Sequence, residues 1–107
     1  MTLGDKQKHF ASLVPRLIDF LHEQGYECTF GDCFRDERVK YGHPTSMHRK
    51  RLAVDLNLFK DGVYLTSSHD HAPLGAFWTN LDPNCTWGGD KDGNHYSMYA
   101  HDYQMDF

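Results

Sequence analysis

Apolar residues recur at helical spacing in the first quarter of the chain. The i, i+3, i+4 repeat predicts an amphipathic helix that begins at Asp5 and Lys6 and ends at Gly25, because glycine suits the left-handed position after a helix. Pro15 removes one hydrogen bond inside this helix, so we expect either a kink or a start near Ser12. The apolar positions of the repeat are Phe10, Leu13, Val14, Leu17, Ile18 and Leu21.

Further along the chain, apolar and polar residues alternate in short runs, and this alternation predicts β-strands. In the second run Asp55 lies on the opposite face of the strand from Leu56 and the other large apolar side chains. The pair Asp61-Gly62 predicts a tight hairpin between the second and third runs. The strands predicted in this way comprise residues 26–34, 52–59, 63–65 and 95–99.

A second helix is predicted over residues 73–81, where apolar side chains have helical spacing and Pro73 suits the first turn. Residues 66–71 predict a polar loop before this helix, and residues 86–89 predict a short extended run after it. Together these elements predict an α+β fold, a small, mostly antiparallel sheet with flanking helices. The length of 107 residues fits a single domain over residues 1–107.

Composition narrows the possible partners and compartments. The formal net charge is −4, so no overall basic field attracts nucleic acid or an anionic membrane. No apolar run approaches the ~20 residues of a membrane span, and the polar N-terminal residues do not resemble a signal peptide. Three cysteines without Cys-x-x-Cys spacing argue against a disulfide framework and against a thiolate zinc finger. The cysteine pattern therefore indicates a reducing compartment. We also expect a monomer.

Three side chains carry the candidate chemistry of a zinc site. Two histidines and one carboxylate form an open catalytic zinc site, whereas four protein ligands form a closed structural one. His48 and Asp55 are candidates for the first two ligands, and His95 is the candidate for the third. Taken alone, His48 can equally be a surface residue and Asp55 can cap a loop. The histidines without motif support are His43, His69, His71 and His101.

Hydrolysis of a peptide bond at such a site needs a base and a positive charge as well as a nucleophilic water. Asp92 is the candidate base, although the Asp-Gly-Asn sequence that it begins is also ordinary turn sequence. Arg35 is the candidate cation for the developing oxyanion or for a substrate carboxylate, and a surface ion pair with Asp36 or Glu37 is its alternative. Ser46 either bonds the substrate or orders its own loop.

These residues together resemble a known family. The chain contains Ser-x-His-x6-Asp followed by Asp-x-x-His, and these motifs are similar to those of the VanY-like D-Ala-D-Ala carboxypeptidases and the phage L-alanyl-D-glutamate endopeptidases. The same superfamily includes the hedgehog signalling domain. Further family landmarks follow in the expected order over roughly residues 10 to 98, namely Phe34-Arg35, Leu52-Ala53-Val54-Asp55-Leu56, Leu74-Gly75-x-Phe77-Trp78, Trp87-Gly88-Gly89 and Asp92-Gly93-Asn94-His95-Tyr96.

The resemblance implies a hedgehog/D-Ala-D-Ala-peptidase-like zinc fold and a role for each matching residue. The ligands of Zn²⁺ would be His48, Asp55 and His95. The residues that act on the substrate would be Asp92 as base, Arg35 near the scissile carbonyl, and Ser46 beside the substrate.

Two positions distinguish this chain within the family. Many members have glycine where Arg51 stands, so Arg51 either adds positive charge for an anionic stem peptide or lies in a solvated loop. The base is Asp92 where the carboxypeptidases often have glutamate. The shorter side chain needs a closer backbone, which the neighbouring Gly93 would allow. This combination favours the phage endopeptidase branch.

The function implied by the resemblance is zinc-dependent hydrolysis of a peptide bond in bacterial peptidoglycan stem peptides. An endolysin of this type is made in the host cytoplasm and acts on the cell wall after a separate membrane protein releases it. The alternatives are a D-Ala-D-Ala carboxypeptidase, a zinc-stabilised binding module without catalysis, and a structural domain without metal. Loss of a terminal alanine from muropeptides would indicate the carboxypeptidase, and a split stem would indicate the endopeptidase.

Overall fold

The computed structural model describes residues 2–31 and 51–99. Within these ranges the chain forms two α-helices and one five-stranded sheet, so the predicted α+β class is confirmed. The elements are α1 (Leu3–Glu23), β1 (Glu27–Phe30), β2 (Ala53–Lys60), β3 (Val63–Leu65), α2 (Ala72–Leu81), β4 (Cys85–Trp87) and β5 (His95–Met98).

Helix α1 begins with a reciprocal cap and runs without interruption to its last turn. The Thr2 hydroxyl accepts a hydrogen bond from the Asp5 amide at 3.1 Å, and the Asp5 carboxylate accepts one from the Thr2 amide at 3.1 Å. Pro15 lies inside the helix, so the expectation of a start near Ser12 is wrong. Gly25 follows the helix with a φ of 89°, which fits the predicted left-handed position.

Strand β2 is the centre of the sheet, and all four strand pairings among the described residues are antiparallel. Strand β1 pairs along one edge, with Cys28 opposite Leu58. Strand β3 pairs with the C-terminal half of β2 through the predicted Asp61-Gly62 turn. Strand β5 pairs with the N-terminal half, with Asp55 opposite His95, and β4 lies beyond it.

The helices and the sheet share one hydrophobic core. The apolar stripe of α1 packs with α2 and with alternate residues of β2, and Leu17, Leu56 and Trp78 in this cluster are fully buried. Asp55 alternates with the buried side chains of β2 and stays partly exposed. None of the helices in residues 2–31 and 51–99 is long and apolar enough to cross a bilayer.

The polar segment before α2 is more ordered than the sequence predicts. Instead of a loop over residues 66–71, a 3₁₀ helix spans Ser68–His71. Ser67 caps this turn, because its hydroxyl accepts from the His69 amide at 3.2 Å while the Asp70 carboxylate accepts from the Ser67 amide at 3.2 Å. Helix α2 follows directly and ends at Leu81, as predicted.

Candidate functional site

The register of β2 and β5 brings Asp55 and His95 together. The two residues are partners across the antiparallel pair, so their side chains emerge on the same face of the sheet. Asp55 Oδ1 lies 3.3 Å from His95 Nδ1, and the two side chains are 18% and 19% exposed. The predicted approach of these two side chains is confirmed, while their role as metal ligands stays a prediction.

Backbone hydrogen bonds hold His95 at this place. Its amide donates to the Asp92 carbonyl at 3.0 Å, and its carbonyl accepts from the Gly88 amide at 2.9 Å. The Asn94 carbonyl next to it accepts from the Leu56 amide at 2.9 Å. The start of β5 is therefore fixed to both β2 and the preceding loop, which limits how far the imidazole can move relative to Asp55.

Asp92 is the second carboxylate beside the His95 ring. Its Oδ2 lies 3.9 Å from His95 Nδ1, and its side chain is 61% exposed. Within the described residues this is the only polar partner of the Asp92 side chain. The geometry therefore leaves the Asp92 carboxylate accessible to a water or a ligand while it remains next to the imidazole.

The loop that carries Asp92 is tightly packed against its neighbours. A Cβ on Gly88 would lie 2.0 Å from the Asp92 carbonyl oxygen, and a Cβ on Gly93 would lie 2.5 Å from the Ser68 Cα. The Trp87 indole also donates to the Gly93 carbonyl at 2.6 Å. A side chain at Gly88 or Gly93 would therefore clash with the neighbouring backbone, so the close packing of this loop requires glycine at both positions.

Arg51 lies just before the start of β2, beside α1. It is exposed and lines a cavity of about 640 Å³ between α1 and the start of β2, together with Phe10 and Ala53. Its φ is 57°, which is the left-handed region that glycine adopts without strain. The proposed contact of Arg51 with substrate stays a prediction.

Three of the sequence-predicted site residues lie outside the described residues. They are Arg35, Ser46 and His48. Within residues 2–31 and 51–99, no group of three or more histidine, cysteine, aspartate or glutamate side chains is arranged to hold a metal ion. The described part of the candidate zinc site is thus the pair of Asp55 and His95.

His71 is a site residue that the motifs did not identify. It is 3% exposed, and its Nδ1 is hydrogen-bonded to the Tyr96 hydroxyl at 2.7 Å. Burial lowers the pKa of His71, although the nearby charge of Asp70 acts in the opposite direction. A signal for its burial was present in the sequence, because Leu74 and Trp78 follow His71 at helical spacing, although His71 itself ends the 3₁₀ helix before α2.

His71 and Asp92 line a common cleft. This cleft has a volume of about 170 Å³ and lies between residues 66–71 and residues 91–94. We refer to it as the Asp92 cleft. Its lining is mainly polar, and the lining residues with polar side chains other than Asp92 are Tyr64, Thr66, Ser67, Ser68, His71, Lys91 and Asn94.

The fold and the site define a small α+β protein whose antiparallel sheet presents an aspartate–histidine pair with a second aspartate beside it. A scan against protein-family models finds no match to this chain, and a search of curated proteins finds no matching relative. The function therefore has to be argued from the residues of the site.

Proposed function

We propose that this protein is a zinc-dependent peptidase that hydrolyses a peptide bond in bacterial peptidoglycan stem peptides. The observation that carries the proposal is the meeting of Asp55, His95 and Asp92 around one imidazole nitrogen, with distances of 3.3 Å and 3.9 Å from the two carboxylates. This arrangement combines two candidate ligands with one accessible base. A hedgehog/D-Ala-D-Ala-peptidase-like zinc fold is part of the same proposal.

The spacing of Asp55 and His95 fits a shared zinc ion. Tetrahedral zinc with bonds of about 2.0–2.1 Å separates neighbouring ligand atoms by roughly 3.3–3.4 Å. The observed distance of 3.3 Å from Oδ1 to Nδ1 is close to that separation, and the same two atoms are also within reach of a long hydrogen bond. His48 would supply the third ligand. When bound, zinc at an open site polarises a carbonyl and acidifies a water.

Asp92 is the proposed general base. Its carboxylate is exposed and adjacent to the ligand pair, so it can take a proton from the attacking water and return it to the leaving amine. A module that only binds zinc has no need of this carboxylate, which favours catalysis over the non-catalytic alternative. Arg35 would stabilise the oxyanion, and Ser46 and Arg51 would contact the substrate.

The bond cut is proposed to be the L-alanyl-D-glutamate bond of the stem, as in phage endolysins. Support comes from the resemblance, because carboxypeptidase-like members often have glutamate where this chain has Asp92. The close packing of Gly93 against Ser68 is consistent with the closer backbone that the shorter side chain needs. The enzyme would be made in the host cytoplasm and would act as a monomer on the wall after release. A D-Ala-D-Ala carboxypeptidase is the alternative within the same chemistry.

Replacement of Asp92 tests the proposed base. We expect Asp92→Asn to retain zinc and fold and to lower the rate of cell-wall hydrolysis by about 10²–10⁴-fold, the usual contribution of a general base. Asp90→Asn is the matched control, because Asp90 is an exposed aspartate in the same loop. Lysis of purified walls and zinc content are measured for both. Wild-type lysis by Asp92→Asn would show that the base is assigned wrongly.

A further inference from the structure

The Asp92 cleft is bounded by two backbone segments that are fixed to each other. On one side Ser67 caps the 3₁₀ helix through its hydrogen bond with the His69 amide. On the other side the Gly93 amide donates to the Ser68 hydroxyl at 3.0 Å, and the absence of a Cβ at Gly93 allows this close contact. The shape of the cleft therefore follows from hydrogen bonds that already exist without a ligand.

His71 closes the inner end of the cleft with a defined orientation. Its Nδ1 is engaged by the hydroxyl of the fully buried Tyr96, so Nε2 is the ring nitrogen that remains for a ligand. When the Tyr96 hydroxyl donates to Nδ1 of a neutral ring, Nε2 carries the hydrogen and is a donor. Burial lowers the pKa of His71 and so favours the neutral ring, and donation from Nε2 to a ligand uses the tautomer in which the Tyr96 hydroxyl donates to Nδ1.

The remaining polar groups are also suited to an acceptor ligand. The hydroxyls of Ser67 and Ser68 each accept a backbone hydrogen bond and keep their own hydrogen for donation. Lys91 is exposed at the rim and forms no salt bridge with any residue in the described ranges. Asp92 is the only carboxylate among the lining residues of the described chain, and it lies on the side of His95.

We propose that the Asp92 cleft binds one acidic residue of the substrate peptide through its carboxylate, with Lys91 and His71 as the main donors. A volume of about 170 Å³ suits a single residue. The proposal rests on the peptidase function proposed above, because Asp92 connects the cleft with the bond that is cut. It assigns substrate-binding roles to Lys91 and His71, whose sequence contexts contain no motif.

Binding of a small acidic probe tests the cleft separately from catalysis. The probe is L-alanyl-D-glutamate, compared with the same dipeptide carrying carboxamides in place of both carboxylates, and binding to Asp92→Asn protein is measured by calorimetry with zinc present. We expect the carboxylate form to bind about 10-fold to 100-fold more tightly, as expected for charge-assisted hydrogen bonds. Adding Lys91→Met or His71→Gln should reduce that preference to less than about threefold.

Lys8→Met is the matched control, because Lys8 is an exposed lysine on α1 outside the cleft, and it should keep the full preference. Lys91 is exposed, so its replacement tests the proposal even if His71→Gln fails to fold. Equal binding of the two dipeptides, no binding of either, or a preference that survives Lys91→Met would overturn the cleft assignment. A carboxylate preference in a protein that cleaves no muropeptide would instead support the cleft and contradict the peptidase.

Discussion

Glycines determine how closely the residues around the candidate base approach one another. Gly93 contacts the backbone of Ser68, and Gly88 contacts the Asp92 carbonyl. Gly75 contacts the Trp87 ring, because a Cβ on Gly75 would lie only 2.1 Å from Trp87 Cδ2. Trp87 then donates to the Gly93 carbonyl. The position of the Asp92 carboxylate is therefore a result of backbone packing as much as of its own side chain.

Gly93→Ala tests this dependence on packing. The added methyl group would lie 2.5 Å from the Ser68 Cα and carbonyl oxygen, so the loop must move. We expect a loss of about 1–3 kcal/mol in the free energy of unfolding, as for other overpacked sites, together with reduced hydrolysis. Gly4→Ala is the control, because its nearest neighbour would be 3.8 Å away. Denaturant unfolding that is the same for both variants would contradict the packing argument.

Asp55→Asn tests the proposed ligand pair. The substitution keeps the size of the side chain but removes the charge that faces His95 Nδ1 at 3.3 Å. Loss of a group that hydrogen-bonds to a metal ligand costs about 10–100-fold in metal affinity, so loss of a ligand itself should lower zinc affinity by roughly 100-fold or more. Competition with a chromogenic chelator measures this affinity. Adding Asn57→Asp to the Asp55→Asn protein is the comparison. It places a carboxylate two residues further along β2, and we expect that it does not restore zinc binding.

Among the residues of the site, those that belong to a motif were predicted from the sequence. Those whose position depends on tertiary packing were not. The approach of Asp55 to His95 was inferred from the motifs, because the periodicity alone does not establish it, and the structure places the two side chains 3.3 Å apart. His71 was missed, because it belongs to no motif. The orientation of its ring depends on a hydrogen bond with Tyr96, which is 25 residues away. The left-handed φ of Arg51 is likewise a product of chain geometry that side-chain chemistry does not reveal.

Among the elements, α1 tolerates an unfavourable residue because its other interactions are strong. Pro15 interrupts the hydrogen-bond pattern of the helix, yet the helix is capped at Thr2 and buries Phe10, Leu13, Leu17 and Leu21 against the core. The packing of this stripe outweighs the local cost, which explains why the predicted start near Ser12 does not occur.

Pro15→Ala should therefore stabilise the protein. Alanine restores the missing hydrogen bond at an exposed position of α1, and we expect a gain of about 1–3 kcal/mol in the free energy of unfolding. Arg16→Ala is the control at the next exposed position and should change stability by less than about 0.5 kcal/mol. Chemical denaturation of both variants provides the comparison. A destabilised Pro15→Ala protein would contradict this account of α1.

The predictability of the elements follows their local signals. The hairpin was predicted because Asp61-Gly62 specifies the turn by itself, and α2 because its apolar spacing is regular. The 3₁₀ helix at Ser68–His71 was not predicted, because four residues are too few to show periodicity. Its capping box, Ser67 with Asp70, was the signal that could have revealed it.

At the scale of the whole molecule, a pair of polar side chains joins the two helices. His9 on α1 donates to the Asp82 carboxylate at the end of α2, with Nε2 2.8 Å from Oδ2. This hydrogen bond, together with one from the Asn84 amide, lowers the pKa of Asp82. The contact links residues 73 positions apart, so it contributes to the docking of the helices.

The Asp82 interaction predicts a pH dependence of stability. Because its folded pKa lies below the unfolded value of about 3.9, the stabilisation is complete above about pH 5 and is lost as pH falls through the folded pKa. We expect Asp82→Asn to be less stable than wild type by about 0.5–1 kcal/mol near neutral pH, with the difference shrinking below about pH 4. Asp19→Asn, an exposed change on α1, is the control for thermal unfolding across this range.

The central claim is that the Asp55–His95 pair with Asp92 belongs to a zinc peptidase of the bacterial cell wall. Mass spectrometry of muropeptides digested by the protein, with and without a chelator, tests it most directly. We predict stems split between L-alanine and D-glutamate, no cleavage after chelation, and recovery when zinc is added back. Muropeptides left intact by the zinc-supplied protein, or cleaved equally in the presence of chelator, would contradict the claim.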